Sequence, residues 1–149
     1  MAADALQIAY AYINRRERTE AEVRSRLEKA ECPESESEAA VAELLELGYV
    51  DDARYARLFT EDKRNLEGWG SERIARALSE RGVARSLVSA ALAETDGPSE
   101  AERAGELLAQ RFPVPSDDPR ERDRAFGFLA RKGYESEVAA DAVRAWRKR

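Results

Sequence analysis

Two adjacent carboxylates, Asp51 and Asp52, are the strongest candidates in this chain for metal binding or acid–base chemistry. Side chains of neighbouring helical residues diverge by about 100°, so the pair would not converge on one ion. Gly48 suits the C-cap of one helix, and Asp51 falls where the next helix needs an N-cap oxygen. Asp52 would lie in the first turn, where the helix dipole favours negative charge. The pattern therefore favours helix capping over a catalytic or metal-binding pair.

Few other residues could support catalysis. The chain has no histidine and one cysteine, Cys32, which excludes zinc sites and Cys–His nucleophile pairs. A lone cysteine cannot form an internal disulfide, and it most simply fills an apolar slot after a helix. The N-terminus resembles no secretory signal, and no apolar run approaches the roughly 18 residues of a membrane span. We therefore expect a cytoplasmic protein that is not an enzyme and holds no cofactor or metal.

The segments that would position any binding residue are helical. Ala, Glu, Arg and Leu are abundant, and apolar residues recur at spacings of three and four. Thr19 and Glu22 have the spacing of a capping box, which predicts the start of a second helix. Pro33 is expected to stop that helix, and Ser35 with Glu38 repeats the capping pattern for a third.

The helical segments repeat along the chain. Two sets of apolar residues recur at intervals of 51 residues, namely Val23, Ile74 and Ala125, and Leu27, Leu78 and Leu129. Gly82 and Gly133 share one offset at the helix exits, where Glu31 stands in the first copy. The sequence therefore predicts an all-α fold of three tandem three-helix repeats, at residues 1–48, 49–97 and 98–149. Short helices of this kind bury little alone, so we expect the repeats to stack into an elongated, curved array.

Four segments resemble conserved motifs of the RecX family, small bacterial regulators of the RecA recombinase. They are RTEAEVRSRL, GYVDDARYARLF, GWGSERIARALSERGV and RAFGFLARKGY, which together span most of the chain in order. The resemblance implies a monomeric three-repeat protein that binds the RecA filament on single-stranded DNA. It further implies suppression of ATP hydrolysis, strand exchange and the SOS co-protease activity of RecA. Such binding requires no catalytic residue.

Trp69 and its basic neighbours are candidate contact residues. Trp69 lies between two glycines, so it could form a binding hot spot or fold back over a repeat junction. Arg73 and Arg76 should point outward beside Ile74, and Lys63 with Arg64 could complete a basic patch around the indole. The alternative is a solvated helix face with weak ion pairs, for instance between Arg76 and Glu80.

A second basic set lies at the C-terminus. Arg144, Arg147 and Lys148, with Arg149, could contact DNA phosphates or an acidic RecA surface. Basic residues are also favoured at any helix C-terminus by the dipole, and termini fray. Trp146 follows Val143 on an apolar stripe, so it is expected in the core.

Charge leaves two other functions open. The net charge is −5, but residues 1–50 hold 6 basic and 11 acidic groups, whereas residues 98–149 hold 11 and 10. This basic drift is compatible with a DNA-binding module, single- or double-stranded, that acts without RecA. Composition alone would also fit a protein-interaction scaffold with unrelated partners.

Overall fold

The computed structural model describes residues 4–94 and 97–147. Within these ranges the chain forms nine α-helices and no strand, which confirms the all-α prediction. The helices are α1 (Ala5–Arg15), α2 (Glu20–Lys29), α3 (Glu34–Glu46), α4 (Asp52–Glu67), α5 (Ser71–Glu80), α6 (Arg85–Ala93), α7 (Glu100–Arg111), α8 (Pro119–Lys132) and α9 (Ser136–Arg147).

These helices belong to two compact units. Unit 1 lies within Met1–Leu58 and Leu78–Ala91, and unit 2 within Phe59–Ala77 and Leu92–Arg149. The middle three helices are therefore divided, because the first part of α4 and the whole of α6 up to Ala91 belong to unit 1. The repeat boundaries given above stay a prediction.

Each unit has its own apolar core. In unit 1, α1, α2 and α3 pack together around Val23, Leu27 and Leu44, which are fully buried. In unit 2, α7, α8 and α9 pack around a second cluster. Its largest members are Leu108, Leu129, Tyr134 and Trp146. Burial of Trp146 confirms the prediction for that residue.

The exits of the second helices are built alike. Gly82 and Gly133 adopt the left-handed conformation, with φ of 83° and 101°. Glu31, at the same offset in the first copy, also adopts it, with φ of 58°. A left-handed conformation is costly for a residue with a Cβ atom, so the geometry of this turn is maintained even where glycine is missing.

In unit 1, the exit turn at Gly82 receives the start of α2. The Thr19 hydroxyl donates to the Arg81 carbonyl over 2.7 Å. A Cβ atom at Gly82 would overlap the Ala21 side chain. Glycine is therefore required here both for backbone conformation and for close approach.

In unit 2, the exit turn at Gly133 receives the start of α5 in the same manner. The Gly70 amide donates to the Lys132 carbonyl over 2.8 Å, and the Glu72 amide donates to the Gly133 carbonyl over 3.0 Å. A Cβ atom at Gly70 would lie 2.5 Å from the Gly133 carbonyl oxygen. Because Gly70 and Lys132 stand 51 residues after Thr19 and Arg81, the sequence period corresponds to a repeated docking contact.

One predicted helix start is confirmed and another is wrong. Thr19 and Glu22 form the capping box at α2, with reciprocal bonds of 3.1 and 2.9 Å. However, α3 begins at Glu34, directly after Pro33, and no side chain caps it. Glu38 instead pairs with Arg24 of α2. Pro33 thus begins α3, whereas α2 has already ended at Lys29.

Candidate functional site

Asp51 and Asp52 are helix-capping residues. The Asp51 carboxylate accepts a bond from the Arg54 amide over 3.1 Å, and its carbonyl accepts from the Tyr55 amide, so Asp51 is the N-cap of α4. Asp52 turns to another helix, where its carboxylate accepts from the Glu20 amide at the start of α2 over 2.9 Å. Burial raises the pKa of Asp52, although the Glu20 hydrogen bond opposes this rise. The capping interpretation is confirmed.

Two searches of the molecule return nothing further. Across residues 4–94 and 97–147, no group of three or more Asp, Glu or Cys side chains is placed to hold a metal ion. No helix in the same ranges has the length and apolar character needed to cross a membrane.

Lys63, Trp69 and Arg73, hereafter the Trp69 cluster, meet on the surface of unit 2. The Arg73 guanidinium carbon lies 4.0 Å from the centroid of the Trp69 ring, and the Lys63 ammonium lies 4.6 Å from it. Phe59 packs edge-on against the indole with centroids 6.2 Å apart. The half-buried Trp69 thus packs locally and also holds two cations, which combines the two alternatives raised by the sequence.

The docking contact with the third segment fixes the position of Arg73. Its guanidinium donates to the Arg131 carbonyl over 3.3 Å. Close by, the Lys132 ammonium donates to the Glu67 carbonyl over 3.0 Å. Arg131 and Lys132 therefore extend the basic surface. Sequence reasoning missed both, although they stand at the exit of α8 that the repeat alignment had already matched.

Arg64 and Arg76 are not part of the Trp69 cluster. The Arg64 guanidinium donates to the carbonyls of Leu92 and Glu94 over 2.9 and 3.1 Å, and burial lowers its pKa. Arg64 therefore joins α4 to the end of α6. Arg76 is exposed, and within the described ranges it pairs with no carboxylate, including the expected partner Glu80.

The C-terminal basic residues are largely paired within unit 2. Arg144 forms an ion pair with Asp141, and Arg147 forms one with Asp117 over 2.9 Å. Lys148 and Arg149 lie outside the described residues. Trp146 is held in the core, where its indole nitrogen donates to the Phe112 carbonyl over 2.9 Å. The Trp69 cluster thus presents more available positive charge than α9 does.

A separate cavity of about 680 Å³ opens on unit 1. Tyr10 and Tyr49 meet edge-to-face on its wall, with centroids 5.8 Å apart. The Arg54 guanidinium at this cavity donates to the Gly48 carbonyl over 2.9 Å and pairs with Glu17. Because Arg54 serves internal partners, this cavity supplies no free positive charge.

Family models match all three helical segments of the chain. They are described as the first, second and third three-helix domains of RecX, and they match residues 5–44, 51–92 and 99–143. Each matched range lies inside one of the three ranges predicted from the sequence.

Relatives and solved structures agree with these matches. The regulatory protein RecX of Mycobacterium avium is 33% identical over 86% of this chain and 76% of its own length. That of Deinococcus radiodurans is 37% identical over 92% of this chain and 66% of its own length. A crystal structure of RecX from Lactobacillus salivarius has a TM-score of 0.82 and 21% identity, over 97% of this chain and 96% of its own. This chain therefore belongs to the RecX family of regulatory proteins.

Proposed function

We propose that this chain regulates the RecA recombinase by binding the RecA filament on single-stranded DNA. Bound there, it inhibits ATP hydrolysis, strand exchange and the SOS co-protease activity, and it does so in the cytoplasm as a monomer without catalysis of its own. The observation that carries this proposal is family membership across all three segments. The resemblance of the four quoted motifs supplies RecA as the partner.

The Trp69 cluster is the surface that we propose for filament contact. Trp and Arg dominate binding hot spots because they combine a large contact area with directed hydrogen bonds. Arg73 is exposed and, within the described ranges, forms no ion pair with a carboxylate of this chain. Its guanidinium is nevertheless held in place by Trp69 and by the Arg131 carbonyl. A preorganised cation of this kind suits a carboxylate or phosphate of the filament, since little side-chain entropy is lost on binding.

The double variant Lys63→Ala/Arg73→Ala tests this surface. Loss of a hot spot typically weakens binding by about 2 kcal/mol, or about 30-fold. The measurement is biolayer interferometry of the chain on RecA filaments assembled on immobilised single-stranded DNA, with bare DNA as the reference. Because both side chains are on the surface, the melting temperature should change little.

A matched control removes the same charge elsewhere. Arg57 and Arg85 are exposed residues of unit 1, and Arg57→Ala/Arg85→Ala lowers the net charge by the same two units. We expect the control to bind the filament as the unmodified chain does. Equal weakening by both variants would show that net charge matters and that the Trp69 cluster has no specific role.

A further inference from the structure

A pocket of about 360 Å³ in unit 2 takes no part in the Trp69 cluster's contact with a partner. It lies where α7 ends against one face of α8. Its lining consists of three arginines, two phenylalanines and one acid, namely Arg111, Arg124, Arg131, Phe112, Phe128 and Asp123. Arg124, Phe128 and Arg131 are spaced by four and three residues, so a helix presents them on the same face.

The charge of this arginine pocket is poorly balanced by the protein itself. Arg124 has a single carboxylate within 4 Å, that of Glu121 at 3.9 Å. Among the residues that the structure describes, Arg111 and Arg131 form no ion pair. Against three guanidinium groups the lining offers one carboxylate, that of Asp123. Mutual repulsion of these cations leaves a local positive potential that an anionic ligand would relieve.

Gly127 provides space for one of these arginines. A Cβ atom at Gly127 would lie 3.1 Å from a terminal guanidinium nitrogen of Arg131. The Arg131 side chain therefore lies back along α8, over a position that carries no side chain. This places its guanidinium near Arg124 and Phe128 on the pocket face of the helix.

The aromatic wall of the pocket is anchored in the core. Phe112 and Phe128 meet edge-to-face with centroids 5.9 Å apart, and Phe112 meets Trp146 at 6.1 Å. The Phe112 carbonyl also accepts the Trp146 indole bond. Arg111 lies with its guanidinium carbon 5.0 Å from the Phe112 centroid. Both phenylalanines remain partly exposed, so a planar base could pack on a rigid apolar surface beside the cations.

The charge and size of the pocket select among phosphate ligands. Guanidinium groups bind phosphate oxygens through paired hydrogen bonds. A phosphodiester of a nucleic acid strand carries one negative charge, whereas the end of a nucleoside di- or triphosphate carries several. Three arginines opposed by one aspartate match the more highly charged group. The volume is also near the lower end for small-molecule sites, which range over roughly 300–1,000 Å³.

We propose that the arginine pocket binds a free nucleoside di- or triphosphate, with the phosphates held by Arg111, Arg124 and Arg131 and the base against Phe112 and Phe128. This goes beyond the proposed regulation of RecA, because it gives the chain a small-molecule ligand of its own. A nucleotide within a single strand offers the same chemistry with less charge, and the experiment separates the two sources.

The test is isothermal titration calorimetry of the full chain, without RecA, against ADP, ATP, inorganic pyrophosphate and an oligothymidylate. We expect ADP and ATP to bind, and pyrophosphate to bind more weakly because it lacks the base. Arg131→Gln and, independently, Arg111→Gln should each weaken nucleotide binding by about tenfold or more. Arg57→Gln/Arg85→Gln in unit 1 is the control and should bind as the unmodified chain does.

Three results would overturn the proposal. They are the absence of nucleotide binding, oligothymidylate binding at the arginine pocket without nucleotide binding, and equal weakening by the pocket and control variants. Melting temperatures of the two pocket variants establish that each is folded, and both replaced side chains are exposed. Because RecA is absent from this assay, its failure would leave the proposed filament regulation untouched.

Discussion

Gly82→Ala should destabilise unit 1 far more than the same substitution at Gly48. Both residues end helices in the left-handed conformation, with φ of 83° and 76°. Alanine in that conformation costs about 1 kcal/mol at either site after allowing for the entropy of glycine. At Gly48 an added Cβ meets nothing within 4 Å, whereas at Gly82 it would overlap Ala21.

The overlap sets the expected difference between the two variants. Overpacking a tight contact costs about 1–3 kcal/mol, so we expect a total loss of about 3 kcal/mol for Gly82→Ala and about 1 kcal/mol for Gly48→Ala. The measurement is the free energy of unfolding from urea denaturation, followed by circular dichroism. An unchanged slope with denaturant would show that the unfolded states are comparable.

A double-mutant cycle isolates the contact between Gly82 and Ala21. Ala21→Gly alone should cost up to about 1 kcal/mol through helix propensity. Adding it to Gly82→Ala removes the overlapping methyl group, so the double variant should lose about 2 kcal/mol, whereas additivity gives about 4 kcal/mol. Strict additivity, or equal losses for Gly82→Ala and Gly48→Ala, would refute the docking of α2 on this turn.

Three further predictions concern individual residues. Glu31→Gly should raise the melting temperature by relieving a left-handed glutamate, with a gain of up to about 1 kcal/mol, and an unchanged or lower value would contradict this. Asp52→Ala should lose about 1 kcal/mol with the α2 cap, whereas Asp52→Asn keeps an acceptor oxygen. Since burial raises the pKa of Asp52, protonation in acid favours the folded state through this group; Asn should therefore gain on Asp at pH 7 relative to pH 4 in urea titrations, and a pH-independent difference would count against it. Burial raises the pKa of Tyr134 to about 12, so its contribution to stability is complete below pH 10 and is lost as pH rises towards 12. Tyr134→Phe loses the bond to the Gly68 carbonyl, about 1 kcal/mol at pH 7, and should unfold less steeply in alkali, while parallel alkaline profiles would exclude this role.

Local signals in the sequence predicted much of this structure. The helices, the Thr19 capping box, the Asp51 cap and the exit glycines follow from interactions within a few residues. Trp146 was predicted in the core because its stripe on α9 is continuous with Val143. Such features depend on spacing along one helix, which the sequence displays directly.

Partners that are distant in sequence were not predicted. Asp52 caps a helix that begins 32 residues earlier, and Arg64 donates to carbonyls 28 and 30 residues later. Ser35 has the right type and spacing for a cap, yet α3 begins earlier because Pro33 favours the first helical turns that follow it. The arginine pocket combines the end of α7 with a face of α8, and only the fold brings those elements together.

Inhibition of RecA ATP hydrolysis on single-stranded DNA tests the central claim most directly. The purified chain is titrated into RecA filaments at fixed DNA and ATP, and the rate of phosphate release is followed. We expect the rate to fall as the chain is added, with Lys63→Ala/Arg73→Ala requiring about 30-fold more protein and Arg57→Ala/Arg85→Ala acting as the unmodified chain does. An unchanged rate at a large excess of the folded chain would contradict the account.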